Sequence, residues 1–186
     1  MKPELEALLE LLDLEQIEVN LFRGVSPDEG WQRVYGGQVI GQALVAASRT
    51  VEDINRVAHS LHGYFLRPGD TTIPILYQVD RIRDGRSFTT RRVVAIQNGH
   101  AIFSMSASFQ ISEQGLEHQA TMPSAPEPLS CPSETDLMQP YLNDMPEEQR
   151  TLANRPKPIE MRYVDDSVEF SKAAKEPIQR VWIKTV

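Results

Sequence analysis

The chain has 186 residues, of which 40% are hydrophobic and 24% charged, and its formal net charge is −7. This balance is typical of a folded globular protein and excludes a chain too poor in hydrophobic residues to build a core. The negative charge argues against a general nucleic-acid binder, which needs a concentrated basic surface. No apolar run approaches the roughly 20 residues of a membrane span, and the acidic amino terminus lacks the basic start of a secretory signal. We expect a protein of the cytosol or of an organelle lumen.

The charge is unevenly distributed along the chain. Between Arg67 and Arg92 lie six arginines and three aspartates, which give this segment a local charge of +3 inside an acidic protein. A short basic segment of this kind suits a small polyanionic ligand better than a long polymer.

The first segments predict a helix, a strand and a second helix. Leucines at helical spacing behind a proline predict a short amphipathic packing helix over 3–13. Residues 17–23 are typical of a single strand that ends at Gly24. From 37 to about 51 the side chains are apolar or small nearly all round, which predicts a core helix over about 38–50.

The next segments carry the clearest β pattern of the chain. Two dipeptides, Asp84-Gly85 and Asn98-Gly99, have the chemistry of two-residue type I′ hairpin turns, in which both central residues need positive φ. The pattern predicts four antiparallel strands over 56–66, 73–83, 87–97 and 101–110. A buried helix followed by long antiparallel strands packs best when the sheet curls around the helix, which is the α+β hot-dog arrangement.

The composition changes after the fourth strand. Eight of the thirteen prolines fall within 113–158, which predicts an interdomain connection with a short helix around 134–145. Strand-like segments resume at 159–164 and 180–184. Two short strands do not make an independent domain, so they either add to the first sheet or open a second domain.

Several motifs in order resemble the type II acyl-CoA thioesterases of bacteria and peroxisomes. They are LFRG (21–24), YGGQVIGQAL (35–44), HSLHGYFLRPGD (59–70), RDGRSFTTRRVVAIQNG (83–99), ASFQ (107–110) and TMPSAP (121–126). The resemblance implies two tandem hot-dog domains, hydrolysis of fatty acyl-CoA to fatty acid and CoA, and no metal or organic cofactor. It predicts a hot-dog domain over 1–112, a linker over 113–158 and the first strands of an incomplete second hot-dog domain over 159–186.

The same resemblance implies where the principal catalytic groups lie. In this family an Asp with Thr and Gln partners orients the attacking water, and these three residues belong to the second hot-dog domain. No stretch after residue 158 carries them, so none of these roles is transferred to this chain. We therefore expect the chain to be truncated and catalytically incomplete.

The start of the predicted core helix is a candidate catalytic and substrate-binding segment. Free N–H groups at Gly36 and Gly37 could receive a thioester carbonyl or a developing oxyanion, and the Gln38 side chain could orient a carbonyl or a water. The alternative is that the glycines only allow a tight turn and a close helix–sheet contact.

Two histidines on the first long strand invite a metal interpretation. The spacing of His59 and His62 should send the two rings to opposite faces of a strand, which argues against shared metal ligation. His59 should share a face with Leu61 and Phe65, where it is either an acid–base group or a hydrogen-bonded core histidine.

The segment after Asp84-Gly85 and the arginine before Pro68 are candidate contacts for CoA. Ser87 and Phe88 could contact the pantetheine arm, while Arg67 and Arg86 could bind the phosphates. The alternative is a solvated strand edge guarded by charge. Arg91 and Arg92 should point to opposite faces of their strand.

The leading functional hypothesis is an acyl-CoA thioesterase that works on an acyl-CoA substrate as a homo-oligomer. It should be cytoplasmic, or peroxisomal in a eukaryote, with no nucleic-acid partner. A non-catalytic acyl-CoA-binding or assembly module is the alternative. A hot-dog hydratase ranks last, because no paired acid and base follow the first strand.

Overall fold

The computed structural model describes residues 2–27, 32–165, 174 and 176–186. The chain divides into two compact units, Leu9–Leu116 and a second unit that combines Met1–Leu8 with Glu117–Val186. We call the first the hot-dog unit and the second the carboxyl-terminal unit. Among the described residues, no helix is both long and apolar enough to cross a bilayer.

The helices and strands up to residue 111 follow the predicted order, except that two strands stand where one was predicted. They are α1 (Pro3–Leu12), β1 (Glu15–Glu18), β2 (Leu21–Gly24), α2 (Gly36–Arg49), β3 (Arg56–Phe65), β4 (Ile75–Asp84), β5 (Phe88–Gln97) and β6 (His100–Ile111). The six strands form one antiparallel sheet in the order β1-β2-β4-β5-β6-β3. β3 therefore pairs with β6 alone and forms one edge of this sheet.

The sheet buries α2 against one of its faces, which we call the inner face. Burial alternates along β5 and β6, so that every second side chain contacts the core and the others lie on the outer face. α2 contributes the small residues Ala43, Ala46 and Ala47, all fully buried, which let the helix lie close to the strands. It contacts five strands, β2 to β6. The predicted hot-dog arrangement is confirmed.

The two predicted hairpin turns have different outcomes. Asn98 has φ 48° and Gly99 has φ 75°, as a type I′ turn requires, so this turn is confirmed. The prediction for Asp84-Gly85 is wrong, because neither residue has positive φ and the strands are joined through 85–87. A register shift between Arg81 and Arg83 lengthens the connection, and the Gly85 N–H donates to the Phe88 carbonyl at 2.9 Å.

The single strand predicted over 17–23 is also wrong. The segment forms the β1–β2 hairpin, with its turn at 19–20. Asn20 is a residue that favours turns, and the Glu15 carboxylate pairs with Arg23 across the two strands at 2.5 Å. The Glu15–Arg23 ion pair and the turn residue Asn20 thus favour a hairpin over the single strand that the sequence pattern predicted.

The described part of the carboxyl-terminal unit contains short helices and two strands that pair antiparallel. The elements are 3₁₀ turns at Pro128–Ser130 and Gln139–Asp144, α3 (Glu134–Met138), α4 (Glu147–Ala153), β7 (Ile159–Tyr163) and β8 (Val181–Thr185). The predicted short helix is found as α3 and the 3₁₀ turn after it, and a capping box of Ser133 and Asp136 starts α3.

The two late strands pair with each other and do not join the first sheet. Residues 166–173 and 175, which fall within the predicted second domain, lie outside the described residues. The predicted domain boundaries stay a prediction.

Candidate functional site

A cavity of about 410 Å³ lies where α2 begins and β3 ends. Its volume falls within the range of roughly 300–1,000 Å³ that is usual for small-molecule sites. The apolar part of its lining consists of Val34, Val39, Phe65, Leu66, Ile102 and Phe103, and two exposed arginines, Arg33 and Arg67, complete it together with Gly36 and the Pro68-Gly69 loop. The arrangement suits a ligand with an apolar body and an anionic end.

The glycines at the start of α2 are covered by aromatic rings. A Cβ atom at Gly36 would lie 2.9 Å from Cζ of Phe65, and one at Gly37 would collide with the ring of Tyr35. Each glycine thus leaves room for an aromatic ring, and the predicted role of both toward a substrate stays a prediction. The first helical donors are Gln38 and Val39, whose N–H groups both bond to the Tyr35 carbonyl, so the N–H groups of Gly36 and Gly37 have no partner within the helix.

Gln38 is buried and holds the loop that follows β2. Its Nε2 donates to the Val25 carbonyl at 3.1 Å and contacts the Ser26 hydroxyl at 3.0 Å. The side-chain nitrogen is therefore engaged with this loop. The predicted role of Gln38 toward a substrate stays a prediction.

Sequence reasoning missed Gln42, one turn further along α2. Its Nε2 donates to the carbonyls of Leu11 at 2.8 Å and Val25 at 3.1 Å, while its Oε1 accepts from the Tyr77 hydroxyl at 2.7 Å. Burial raises the pKa of Tyr77 well above its usual value, so this phenol remains a donor. The sequence could have singled out Gln42, because it is a polar residue in a helix whose other side chains are mostly apolar or small.

Gln97 was missed as well, and it fixes the loop that forms one wall of the cavity. Its amide donates to the carbonyls of Asp70 at 2.8 Å and Ile73 at 2.6 Å, and it accepts from the Asp70 N–H at 2.9 Å. Val34, on the adjoining wall, is hydrogen-bonded to the same loop, because its N–H donates to the Gly69 carbonyl at 3.0 Å.

His59 lies on the outer face of the sheet, which corrects its predicted face. The register of β3 shifts between Ala58 and Ser60, and this bulge reverses the alternation of the side chains. His59 Nε2 lies 2.9 Å from the Ser108 hydroxyl, and its ring centroid is 5.7 Å from that of Phe88. The inner-face positions beyond the bulge include Leu61 and Phe65, away from His59.

The bulge also overturns the prediction that the two histidine rings point to opposite faces. His62 is paired with the exposed Ser106, and its ring packs edge-on against Tyr64 at 4.7 Å on the outer face. The structure describes no group of three or more His, Cys, Asp or Glu side chains that could hold a metal ion, within the ranges given above.

The predicted CoA contacts lie in two places. Arg67 lines the cavity, where its Nη1 donates to the Ala101 carbonyl at 2.7 Å. Arg86, Ser87 and Phe88 lie exposed at the β4–β5 connection. Arg56 holds this connection against β3, because its guanidinium donates to the Arg86 carbonyl at 2.8 Å.

The predicted site residues therefore form two clusters at opposite ends of β3. The cavity cluster contains Gly36 and Arg67, which line the cavity, with Gly37 next to Gly36. The hairpin cluster contains His59, Arg86, Ser87 and Phe88, and Gln38 belongs to neither cluster because its amide bonds to Val25 and Ser26. A strand rises about 3.3 Å per residue, so the six steps from His59 to Phe65 span roughly 20 Å. The hot-dog unit by itself does not bring the two clusters together.

Three of the six arginines in the basic segment form ion pairs, and only the Glu52 partner lies outside that segment. Arg81 pairs with Glu52 at 3.2 Å, Arg92 with Asp80 at 3.9 Å, and Arg91 with Asp84 at 2.6 Å. Arg91 is buried on the inner face and Arg92 is exposed on the outer face, so their predicted separation is confirmed.

Residues 27–110 match the family model of the acyl-CoA thioesterase N-terminal domain. Residues 27–110 therefore belong to the acyl-CoA thioesterase family. It is 40% identical to acyl-CoA thioesterase 2 of Haemophilus influenzae over 187 residues, which cover all of this chain and 64% of that relative. These matches confirm the resemblance that the sequence motifs predicted.

Solved structures of this thioesterase family and of its fold agree with the architecture. An acyl-CoA thioesterase II from Mycobacterium marinum is 40% identical, with a TM-score of 0.69 over 96% of this chain and 60% of that one. A hot-dog protein of unknown function from Alicyclobacillus acidocaldarius is 20% identical and has a TM-score of 0.73 over 96% of this chain and 62% of that one. At this identity the match shows similarity of fold only. The chain thus spans roughly three fifths of the length of these matches.

Proposed function

We propose that this chain is part of an acyl-CoA thioesterase that hydrolyses fatty acyl-CoA to fatty acid and CoA without a metal or organic cofactor. The observation that carries the proposal is the apolar cavity at the start of α2, found in a chain of the thioesterase family. The acyl chain would lie on the apolar lining. The thioester carbonyl would lie near the free N–H groups of Gly36 and Gly37, and Arg67 would attract the phosphates of CoA.

We further propose that the protein works as a homo-oligomer associated through β3. β3 is an edge strand, and Val57, Leu61 and Tyr64 on it are exposed apolar or aromatic residues. Unpaired edges of this kind are templates for pairing with another chain. A two-fold axis near the middle of β3 would place the cavity cluster of one copy beside the hairpin cluster of the other.

Such pairing would give the hairpin cluster a role in the reaction. Thioester hydrolysis needs donors for the developing oxyanion and an acid–base group that positions and activates a water. The start of α2 would supply the donors, while His59 of the other copy would be a candidate base and Arg86, Ser87 and Phe88 would contact CoA. We place the protein in the cytoplasm, or in the peroxisome if its source is a eukaryote.

A second candidate is a non-catalytic acyl-CoA-binding module. It is favoured by the distance of His59 from the cavity and by the engagement of the Gln38 amide with Val25 and Ser26. In that case the cavity would bind ligand, and no group would be placed to activate a water.

One set of measurements tests these proposals. Calorimetry with a thioether analogue of octanoyl-CoA should show binding, and Arg67→Ala should weaken it. A thiol-release assay with octanoyl-CoA separates the two functions: turnover that His59→Ala or Gln38→Ala reduces supports the enzyme, whereas binding without turnover supports the module. No binding beyond that of CoA alone would contradict both.

Sedimentation tests the association. Wild-type protein at micromolar concentration should form dimers or larger species, and Leu61→Lys on β3 should dissociate them. Ile82→Lys is the matched control, because Ile82 is also an exposed apolar strand residue but lies on β4. A strictly monomeric wild-type protein would overturn the proposed oligomer.

A further inference from the structure

We infer that Phe65 determines the longest acyl chain that the cavity accepts, an inference that rests on the proposed acyl-CoA-binding function. Phe65 is the last residue of β3, and its ring fills the space between the start of α2 and β6. On one side it packs on Gly36, and on the other its centroid lies 4.9 Å from that of Phe103. The ring therefore closes the cavity on the side of β3.

Three of the other apolar lining residues are fixed by the core. Phe103 is only 1% exposed and Val39 and Ile102 are buried, so none of them moves without repacking the interior. The Phe103 ring also packs directly on Gly63, where an added Cβ would lie 2.6 Å from the ring. Phe65, in contrast, is 57% exposed on an edge strand. Its ring can be removed or enlarged without leaving a void in the core.

The inner face of β3 before Phe65 is apolar, and the Phe103 ring covers its nearest position, Gly63. Gly63 and Leu61 precede Phe65 on the inner face of β3, opposite Met105 and Ala107 of β6. Leu61 is exposed although it lies on the inner face. Removal of the Phe65 ring would therefore free the space that the ring occupies between Gly36 and Phe103, while the intact ring keeps an acyl chain out of it.

The size of the effect follows from the burial of methylene groups. Each methylene that leaves water tightens binding about fourfold. For the wild-type protein, affinity should rise by about this factor per methylene until the cavity is full and then stay level. Phe65→Ala should move the plateau to longer chains, and two more buried methylenes would tighten binding of the longer ligands about 15-fold. Phe65→Trp should move the plateau to shorter chains.

The test is calorimetry with thioether analogues of acyl-CoA, in even-numbered steps from butanoyl to hexadecanoyl, on the full chain. Tyr64→Ala is the matched control. Tyr64 is the neighbouring residue on β3 and is 63% exposed, but it packs against His62 on the outer face. Tyr64→Ala therefore controls for effects on the edge strand and on association. The chain length at which its affinity levels off should equal that of the wild type.

The outcomes separate the inference from the function on which it rests. Opposite shifts of the plateau in Phe65→Ala and Phe65→Trp, with none in Tyr64→Ala, support the inference. Binding with an unchanged plateau in both Phe65 variants overturns it and leaves the acyl-CoA-binding function intact. The absence of acyl-CoA binding by the wild type overturns both. If Phe65→Ala fails to fold, Phe65→Trp alone decides, because an unchanged plateau there also overturns the inference.

Discussion

The two units of the chain bury very different amounts of apolar surface. The core cluster lies entirely within the hot-dog unit, where α2 and the inner face of the sheet enclose it. Among the described residues of the carboxyl-terminal unit, the buried hydrophobic ones are Cys131, Leu142 and Tyr163, while Leu129 and Ile183 are 80% and 65% exposed. Apolar burial is the main favourable term in folding, so the hot-dog unit should carry most of the stability.

Polar interactions are also more deeply buried in the hot-dog unit than in the carboxyl-terminal unit. In the hot-dog unit, Gln42, Gln97 and Arg91 are buried, and each has several hydrogen bonds. In the carboxyl-terminal unit, ion pairs such as Arg180 with Asp165 are partly exposed to water. The same type of bond therefore contributes more in the first unit, because a buried group that loses its partner has no water to replace it.

Amide hydrogen exchange should reveal the largest difference. The amides of β5 and β6 should exchange only through global unfolding, because these strands are central in the sheet and lie against α2. The amides of β7 and β8 should exchange through local opening of a two-stranded sheet, at a free energy lower by several kcal/mol. Equal protection of the two sets of amides would show that the carboxyl-terminal unit is as stable as the hot-dog unit.

A pair of neighbouring arginines tests the effect of burial within a single strand. Arg91 is 1% exposed, and its guanidinium donates to Thr50 Oγ1 at 2.8 Å, the Thr50 carbonyl at 3.0 Å and Asp84 at 2.6 Å. Arg91→Ala should lower the free energy of unfolding by about 3 kcal/mol, because it removes these bonds and leaves a cavity at the end of α2.

Arg92→Ala is the control for that prediction. The Arg92 side chain is 53% exposed and lies 3.9 Å from Asp80, so its loss should cost less than about 1 kcal/mol. Denaturant titration of both variants gives the two values. Equal costs would mean that the network around Arg91 contributes no more than a surface pair.

The smallest expected effect concerns Glu160 on β7. A hydrogen bond from Arg162 at 2.5 Å, with a weaker contribution from Lys184 at 3.4 Å, lowers the pKa of the Glu160 carboxyl. Because the pKa is lower in the folded state, the interaction stabilises the unit above the ordinary glutamate pKa. This stabilisation is lost as the pH falls through the lowered value.

Carboxyl titration by NMR checks both the direction and the cause. Arg162→Gln should raise the pKa of Glu160 more than Lys184→Gln does, since the Arg162 bond is the larger cause. The reverse order, or an unshifted wild-type pKa, would contradict this account of the ion pair.

Local patterns in the sequence were sufficient for α2, for the four long strands β3 to β6 and for the family, but not for the β1–β2 hairpin or the β4–β5 turn. α2 was predicted because its side chains are apolar or small nearly all round, and the Asn98-Gly99 turn because few other residues adopt positive φ without strain. The antiparallel strands were predicted from turn residues and apolar patterns at short range. The family followed from several motifs in order, which depend on residue identity alone.

Other features were decided only by the tertiary structure. β3 pairs with β6 and not with the next strand, β4, and this choice depends on contacts between residues far apart in the sequence. The bulge at 58–60 arises from the fit of β3 to β6, so no local pattern could show that it turns His59 to the outer face. The cavity likewise exists only because α2, β3 and the Pro68-Gly69 loop meet. The sequence determined which elements form, whereas the packing of distant segments determined which side chains share a site.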